Sequence, residues 1–274
     1  IVGLLHDAGK TNRQTVVNDG FAVLPNNTWK GAGIAIPVFS LRSEKSFGTG
    51  EFTDLTLLVD WAKLAGLKMV QILPINDTTA THTWIDSYPY AAISAFALHP
   101  LYLNLEKLAD SPDARTRLQK LEAERLRLNA LPALDYEAVL LIKNDFAKLI
   151  FEESGKTVFE SKAYKQFFDQ NKHWLVPYAA FCHLRDRYAT VDFSEWPAYK
   201  QYSADDIAAL TDKDSSAFRD IALYYFIQFH LHLQLKEATA YAHANGIILK
   251  GDIAIGVYRH GADTWQNPKL YHLD

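Results

Sequence analysis

Two short apolar runs separated by one amphipathic stretch set the first limit on what this chain can fold into. Residues 33–39 (GIAIPVF) and 67–75 (LKMVQILPI) each have the size of a buried strand. Between them Phe52, Leu55, Leu58, Val59 and Ala62 recur at helical spacing over residues 51–65, and Gly66 supplies the stop. Strand, helix and strand in such close succession predict a βαβ unit, two parallel strands joined by a right-handed crossover. A long loop over residues 76–90, rich in Thr, Asp, Trp, Tyr and Pro, follows the second strand directly. In parallel α/β proteins, ligands bind at that end of the strands.

From Leu105 to about Asn245 the pattern is almost entirely helical. Helices are predicted over 115–131, 136–153, 159–175 and 177–188, and a last one of about 30 residues ends at Asn245-Gly246. Residues 247–249 resume a buried strand, closed by Lys250-Gly251-Asp252. A (β/α)8 barrel takes about 250 residues without insertions, so what remains outside the helical block suffices for roughly three strands. The expected fold class is therefore α/β, a partial (β/α)8 TIM barrel built of its first strands with a large helical insertion. The expected layout runs from the tail of an upstream module or linker (1–28) through the first βα units (29–104). A helical insertion (105–245) and a return to the barrel (246–274) follow. The start at Ile1 and the stop at Asp274 inside an aromatic-rich stretch lead us to expect a piece of a longer chain. An unclosed barrel leaves an apolar strand edge and an uncovered interior, so poor solubility, oligomerisation or partial order is expected of it in isolation.

Composition narrows the function classes. Of 274 residues, 49% are hydrophobic and 22% charged, as in an ordinary folded protein. With 28 Lys+Arg against 32 Asp+Glu the net charge is −4, which offers no electrostatic ground for binding nucleic acid or an anionic membrane. The most apolar stretch, 221–235, is interrupted by Gln228, His230, His232 and Gln234, and no run reaches the roughly 18–20 residues of a membrane span. The single Cys182 excludes an internal disulfide and a multi-cysteine metal site, and its neighbours Tyr178, Phe181 and Leu184 suit a buried, inert thiol. His230 and His232 stand two apart on a helix and so face different sides, which excludes their chelating one metal. The segment 47–52 (FGTGEF) carries two glycines rather than three, with Glu51 where a phosphate would sit; it reads as the first βα loop rather than a dinucleotide fingerprint. The charged run 115–127 reads as a solvated helix face. No metal, nucleotide or redox cofactor is implied. IVGLLHDAGK has neither the basic start nor the apolar core of a secretory signal, and a cytoplasmic location is expected.

Three segments together resemble the 4-α-glucanotransferases, the amylomaltases and disproportionating enzymes of glycoside hydrolase family 77. They are WKGAGIAIPVFSLRSEKSFGTGEFTDLTLLVDWAKLAGLKMVQILPINDT (29–78), DSYPYAAISAFALHPLYLNL (86–105) and GIILKGDIAIGVYRHGADTWQNPKLYHLD (246–274). Weaker likeness lies in WLVPYAAF (174–181) and EWP (195–197). The wording INDT and DSYPY is similar to the branch that moves glucosyl units from maltose to long or branched glucans, whose members often carry starch-binding modules ahead of the catalytic domain. The resemblance implies retaining transglycosylation through a glucosyl-enzyme intermediate, with maltose, maltodextrin, glycogen or another α-glucan as partner. It also implies that the nucleophile, the acid/base and a stabilising Asp fall after the match to Tyr271 and Asp274, so no catalytic residue is assigned within these residues.

Site residues follow from the resemblance one by one. Asp252 matches an Asp that borders the reacting sugar; its alternative is a strand-end Asp capping a turn. Tyr90 matches the tyrosine that stacks on the reacting glucose, as a flat aromatic face suits a pyranose ring; its alternative is a turn tyrosine packing over Pro89. Ser87 lies beside it, where this chain is one residue longer than the amylomaltases. Asn76, Asp77, Trp84 and Asp86 share the loop and are candidates for the donor or acceptor path, against the alternative of turn chemistry. Trp265 is either a sugar platform or a core tryptophan, and His99-Pro100 reads as a structural turn. Two other readings stay open: a non-catalytic glucan-binding or regulatory protein, and a related hydrolase that favours water as acceptor.

Overall fold

A computed structural model describes residues 30–254 and 256–272; the expected tail over 1–28, Trp29, Ile255, Leu273 and Asp274 lie outside the described residues. The strands are β1 (Gly33–Ile36), β2 (Met69–Ile72) and β3 (Ile248–Lys250), and they form one parallel sheet in the order β1-β2-β3. Helix α1 (Asp54–Leu64) joins β1 to β2. The block between β2 and β3 consists of α2 (Leu105–Leu108), α3 (Pro112–Gln119), α4 (Glu122–Ala130), α5 (Tyr136–Glu160), α6 (Lys162–Tyr188), α7 (Ala204–Leu210) and α8 (Phe218–Ala244). A short α9 (Ala262–Gln266) follows β3. The α/β class and the βαβ start are as the hydrophobic pattern predicts.

The register shows that the two faces of the sheet differ in burial. Ile34, Val70 and Leu249 form one cross-strand row and Ile36 pairs with Ile72; these side chains pack into the core with Leu55, Val59 and Ala62 of α1 and Ala238 and Ala242 of α8. The opposite face carries Gly33, Met69 and Ile248 in one row and Ala35, Gln71 and Lys250 in the next. Ile248 is 42% exposed, and Lys250 donates to Gln71 Oε1 at 2.9 Å. An amide and an ammonium on that face are tolerated because, among the described residues, no helix covers it. Gly50 is required by close approach: a Cβ there would lie 1.8 Å from the Val38 carbonyl oxygen.

The helices depart from the sequence reading at three places, each for a local reason. The charged run is two helices rather than one, because Lys120 and Leu121 turn inward onto the carbonyls of Arg117 and Leu118, three residues back. Helix α5 runs on through Gly155 to Glu160, seating that glycine against the Phe151 ring. Pro177 does not divide two helices; it lies inside α6. The His173 carbonyl, which loses its helical donor to the proline, accepts from Gln266 Nε2 at 3.0 Å. The charged pattern itself stays at the surface, with Arg125 paired to Glu122 and Arg127 to Glu124.

Helix α8 spans two clusters, which explains why its sequence is apolar around much of its circumference. Phe226, Ile227 and Leu231 join the sheet-side core, while Ile221, Tyr225 and Phe229 pack with α6. The glutamines that interrupt the run act as ties. Gln228 accepts from Leu98 N at 2.8 Å and donates to Leu98 O at 2.7 Å; Gln234 does the same with Asn104, at 2.8 and 3.0 Å. No described helix is long and apolar enough to cross a membrane.

The first βα loop closes on a fully buried ion pair. Glu51 and Lys143 of α5 have no exposed side-chain surface and meet at 2.6 Å. Burial raises the Glu51 carboxyl pKa and lowers that of Lys143, each opposed by the partner charge. Lys143 also donates to the carbonyls of Leu101 (2.6 Å) and Leu103 (2.8 Å), and Asn104 Nδ2 donates to Glu51 at 2.5 Å.

Two stability predictions follow. Lys143→Ala strands a buried carboxylate and is expected to cost about 3–5 kcal/mol in urea denaturation, with Glu51→Leu/Lys143→Met recovering part of that loss. His230 packs on Phe226 at 4.3 Å with its Nε2 unpartnered, and burial lowers its pKa to about 4. An unfolded histidine titrates near ~6.5, so from there down to about 4 the unfolded chain takes up a proton that the folded chain refuses, and stability falls with pH. His230→Phe should flatten that slope by up to about 1.4 kcal/mol per pH unit, read as the difference between denaturation curves at acid and neutral pH.

Candidate functional site

Because the sheet is parallel, the carboxyl ends of its three strands point the same way and their loops converge there. Phe39 follows β1, Pro74 and Asn76 follow β2, and Asp252 follows β3. The loop over 76–90 is anchored at its base to residues 93–98: Asn76 bridges Leu98, Asn76 Nδ2 donates to Ala95 O at 2.8 Å, and Asp77 exchanges backbone bonds with Ile93 and Ala97. Asp263 of α9 accepts from Ala95 N at 2.6 Å and steadies the same segment.

The residues singled out from the sequence divide into three groups. Tyr90 and Asp252, 162 positions apart, meet: the Tyr90 hydroxyl donates to Asp252 Oδ2 at 2.8 Å. That hydrogen bond holds the phenol proton and raises the Tyr90 pKa. Asn76, Trp84 and Ser87 line a cavity of about 380 Å³ with Phe39, Pro89 and Tyr136. Trp84 is 67% exposed at the head of a short 3-10 turn, Trp84–Ser87, and its backbone N–H donates to Glu137 of α5 at 2.8 Å. His99 is in the wall of this cavity, with Nδ1 accepting from Leu101 N and Nε2 on the Tyr136 hydroxyl; burial lowers its pKa and favours the neutral ring.

The third group is buried and occupied. Asp77 accepts from Thr79 N at 2.9 Å and from the Tyr178 hydroxyl at 2.6 Å, one bond to each oxygen. Asp86 accepts from Thr81 N and Thr81 Oγ1, the turn chemistry weighed for it above. Trp265 lies in the core against Phe181, Trp196 and Tyr202, its indole N–H on the Tyr199 carbonyl. Cys182 is fully buried and burial raises its thiol pKa. Among the described residues no group of three or more His, Cys, Asp or Glu could hold a metal ion.

The sequence reading missed two sets of residues here. Tyr88 is 62% exposed with its ring 5.6 Å from that of Tyr90, so two aromatic faces stand together. The other set belongs to α6: Tyr178, Arg185 and Asp186 all reach the loop. Their signal was an arginine seven residues after a tyrosine on an apolar helix face, where a charge needs a partner.

The family profile described as 4-alpha-glucanotransferase, glycoside hydrolase family 77, matches residues 36–274. The chain belongs to this family. It is 43% identical over 265 residues to the 4-alpha-glucanotransferase DPE2 of Oryza sativa subsp. japonica, covering 97% of this chain and 28% of that protein. A 4-alpha-glucanotransferase of Chlamydia muridarum is 32% identical over 240 residues, 87% of this chain and 44% of its own length. Among solved structures, the amylomaltase from Streptococcus agalactiae in complex with acarbose superposes with a TM-score of 0.72 at 20% identity, covering 89% of this chain and 48% of that one. At that identity the likeness establishes the fold alone. The chain thus spans under half the length of these family relatives.

The Tyr178 hydroxyl supplies one of the two bonds to a buried carboxylate. Tyr178→Phe should therefore destabilise the chain by about 1–3 kcal/mol in chemical denaturation, while Trp84→Ala, at an exposed side chain, should change stability little.

Proposed function

We propose that this chain supplies part of the sugar cleft of a 4-α-glucanotransferase. The first strands of a (β/α)8 barrel would come from 29–104 and 246–274, and 105–245 would be a helical insertion. The observation that carries the reading is the family match over 36–274 together with the Tyr90–Asp252 contact at the carboxyl end of the sheet. Substrates would be maltose, maltodextrin, and glycogen or another α-glucan; the acarbose bound by the Streptococcus agalactiae amylomaltase is in keeping with that class.

In this reading the Tyr90 ring packs on the apolar face of a glucose unit, and Asp252 accepts its hydroxyls. The Tyr90 hydroxyl holds the carboxylate in place before sugar arrives, so that no reorganisation is needed on binding. Trp84, Ser87 and Asn76 border the path of the glucan beyond that unit. Asp77 and Asp86 serve it indirectly, by shaping the loop. The reaction is retaining double displacement with a sugar hydroxyl as acceptor. It needs two carboxyls about 5–5.5 Å apart, which we assign to the part of the relatives that this chain does not span.

Product analysis tests the reading. The full-length protein given maltotriose, or maltose with glycogen, should form free glucose together with longer glucans. Only shorter sugars would mean a hydrolase, and sugar binding without turnover would mean a binding protein. Tyr90→Ala and Asp252→Asn should each lower kcat/KM by on the order of ten- to a hundredfold, while Tyr90→Phe, which keeps the ring, should lower it less.

A further inference from the structure

The loop that carries Trp84, Ser87 and Tyr90 is held from outside by one face of α6. Tyr178 and Arg185 lie seven residues apart on that helix and so share a side. The Tyr178 hydroxyl donates to Asp77 at 2.6 Å, and Arg185 Nη1 donates to the Thr79 carbonyl at 2.6 Å. The next residue, Asp186, reaches further along the loop, where its Oδ1 accepts from His82 Nε2 at 2.9 Å. That carboxylate collects two more donors, Arg185 Nε at 2.8 Å and the Tyr224 hydroxyl of α8, and Arg185 Nη2 donates in turn to the Tyr224 oxygen at 3.1 Å.

His82 is the least comfortable residue of the loop. Its φ is +60°, in the left-handed region that few residues other than glycine adopt. It stands two residues before Trp84. The contact with Asp186 is also its outward one, as the two side chains are 44% and 38% exposed. A polar contact so placed, between two partly exposed side chains, contributes little to global stability. The Arg185–Asp186–Tyr224 group would stay complete without it. What the contact ties down is the residue that leads into the Trp84–Ser87 turn, beside the bonds that Thr81, Thr83 and Trp84 make there themselves.

We propose that His82 and Asp186 are positioning residues: Asp186, acting through His82, holds the loop in the conformation that presents Trp84, Ser87 and Tyr90 to the sugar. This inference rests on the α-glucan reading for the identity of the ligand, but not for the clamp itself. It gives the helical block a direct part in binding, since α6 sets the shape of a loop that belongs to the strand ends. Releasing the clamp leaves the loop to be ordered by the sugar at the moment of binding, and that cost falls on KM.

The test uses the full-length protein carrying His82→Ala or His82→Gln, the second keeping a side-chain N–H that can donate to Asp186. Hydrogen exchange over residues 79–90 reads the clamp without substrate. His82→Ala should exchange faster there while α6 and α8 stay protected and the melting temperature is unchanged, and His82→Gln should restore most of the protection. Unchanged exchange in the loop, or loss of protection throughout α6, overturns the proposal. Kinetics with maltotriose reads the consequence: KM about three- to tenfold higher in His82→Ala, with kcat within about twofold of the unaltered protein. Lowered kcat at unchanged KM also overturns it. If the unaltered protein forms no longer glucans while the loop of His82→Ala still loosens, the glucanotransferase reading fails and the clamp stands.

Discussion

Lys143 is the residue on which the arrangement around the sheet depends. Its ammonium, buried in α5, is shared by the Glu51 carboxylate of the first βα loop and by the carbonyls of Leu101 and Leu103. Asn104 extends the group, donating to Glu51 and exchanging two bonds with Gln234 of α8. Four pieces of chain, far apart in sequence, are thereby joined through polar groups buried from solvent. Such a group is costly to bury and still more costly to leave incomplete, so it selects one mutual placement of loop, turn and helices. Gln228, bound to both backbone groups of Leu98, repeats the device about one and two-thirds turns earlier on α8.

From that placement the ligand-facing end follows. The turn at 99–104 sits between the strand ends and α5, and His99 and Tyr136 meet across it in the wall of the cavity that Trp84 and Ser87 enter from the other side. The loop over 76–90 has little apolar material of its own to bury. It is shaped instead by Asp77, Thr79 and His82, each bonded to α6, and by Trp84, bonded to α5. The helices between β2 and β3 are therefore structural support for the loop.

Much of this was legible in order along the chain. The period of the apolar residues announced strand, helix and strand; the Thr- and Asp-rich stretch announced the loop; and the likeness of DSYPY and LKGD to a known family picked out Tyr90 and Asp252, which the fold brings into contact. Where the reading missed, a partner distant in sequence was responsible. Pro177 looked like a helix boundary because nothing nearby in sequence could satisfy the carbonyl it frees; Gln266 does so from α9. Gln228 and Gln234 looked like interruptions of an apolar helix because the backbone they bind lies 130 residues earlier.

The sequence by itself determined the local terms: which segments are strands or helices, that the first two strands run parallel, and that one family's wording recurs in order. These rest on periodicity, chain connectivity and side-chain chemistry, which act over a few residues. Tertiary structure alone decided which partner each polar group meets. Asp77, Asp86 and Asp252 are alike in sequence as loop carboxylates. Packing closes both oxygens of Asp77 on Tyr178 and a turn and seats Asp86 on Thr81, whereas Asp252 meets the Tyr90 hydroxyl at the strand ends. A carboxylate's role is set by what surrounds it, and those surroundings come from chain segments that only folding brings near.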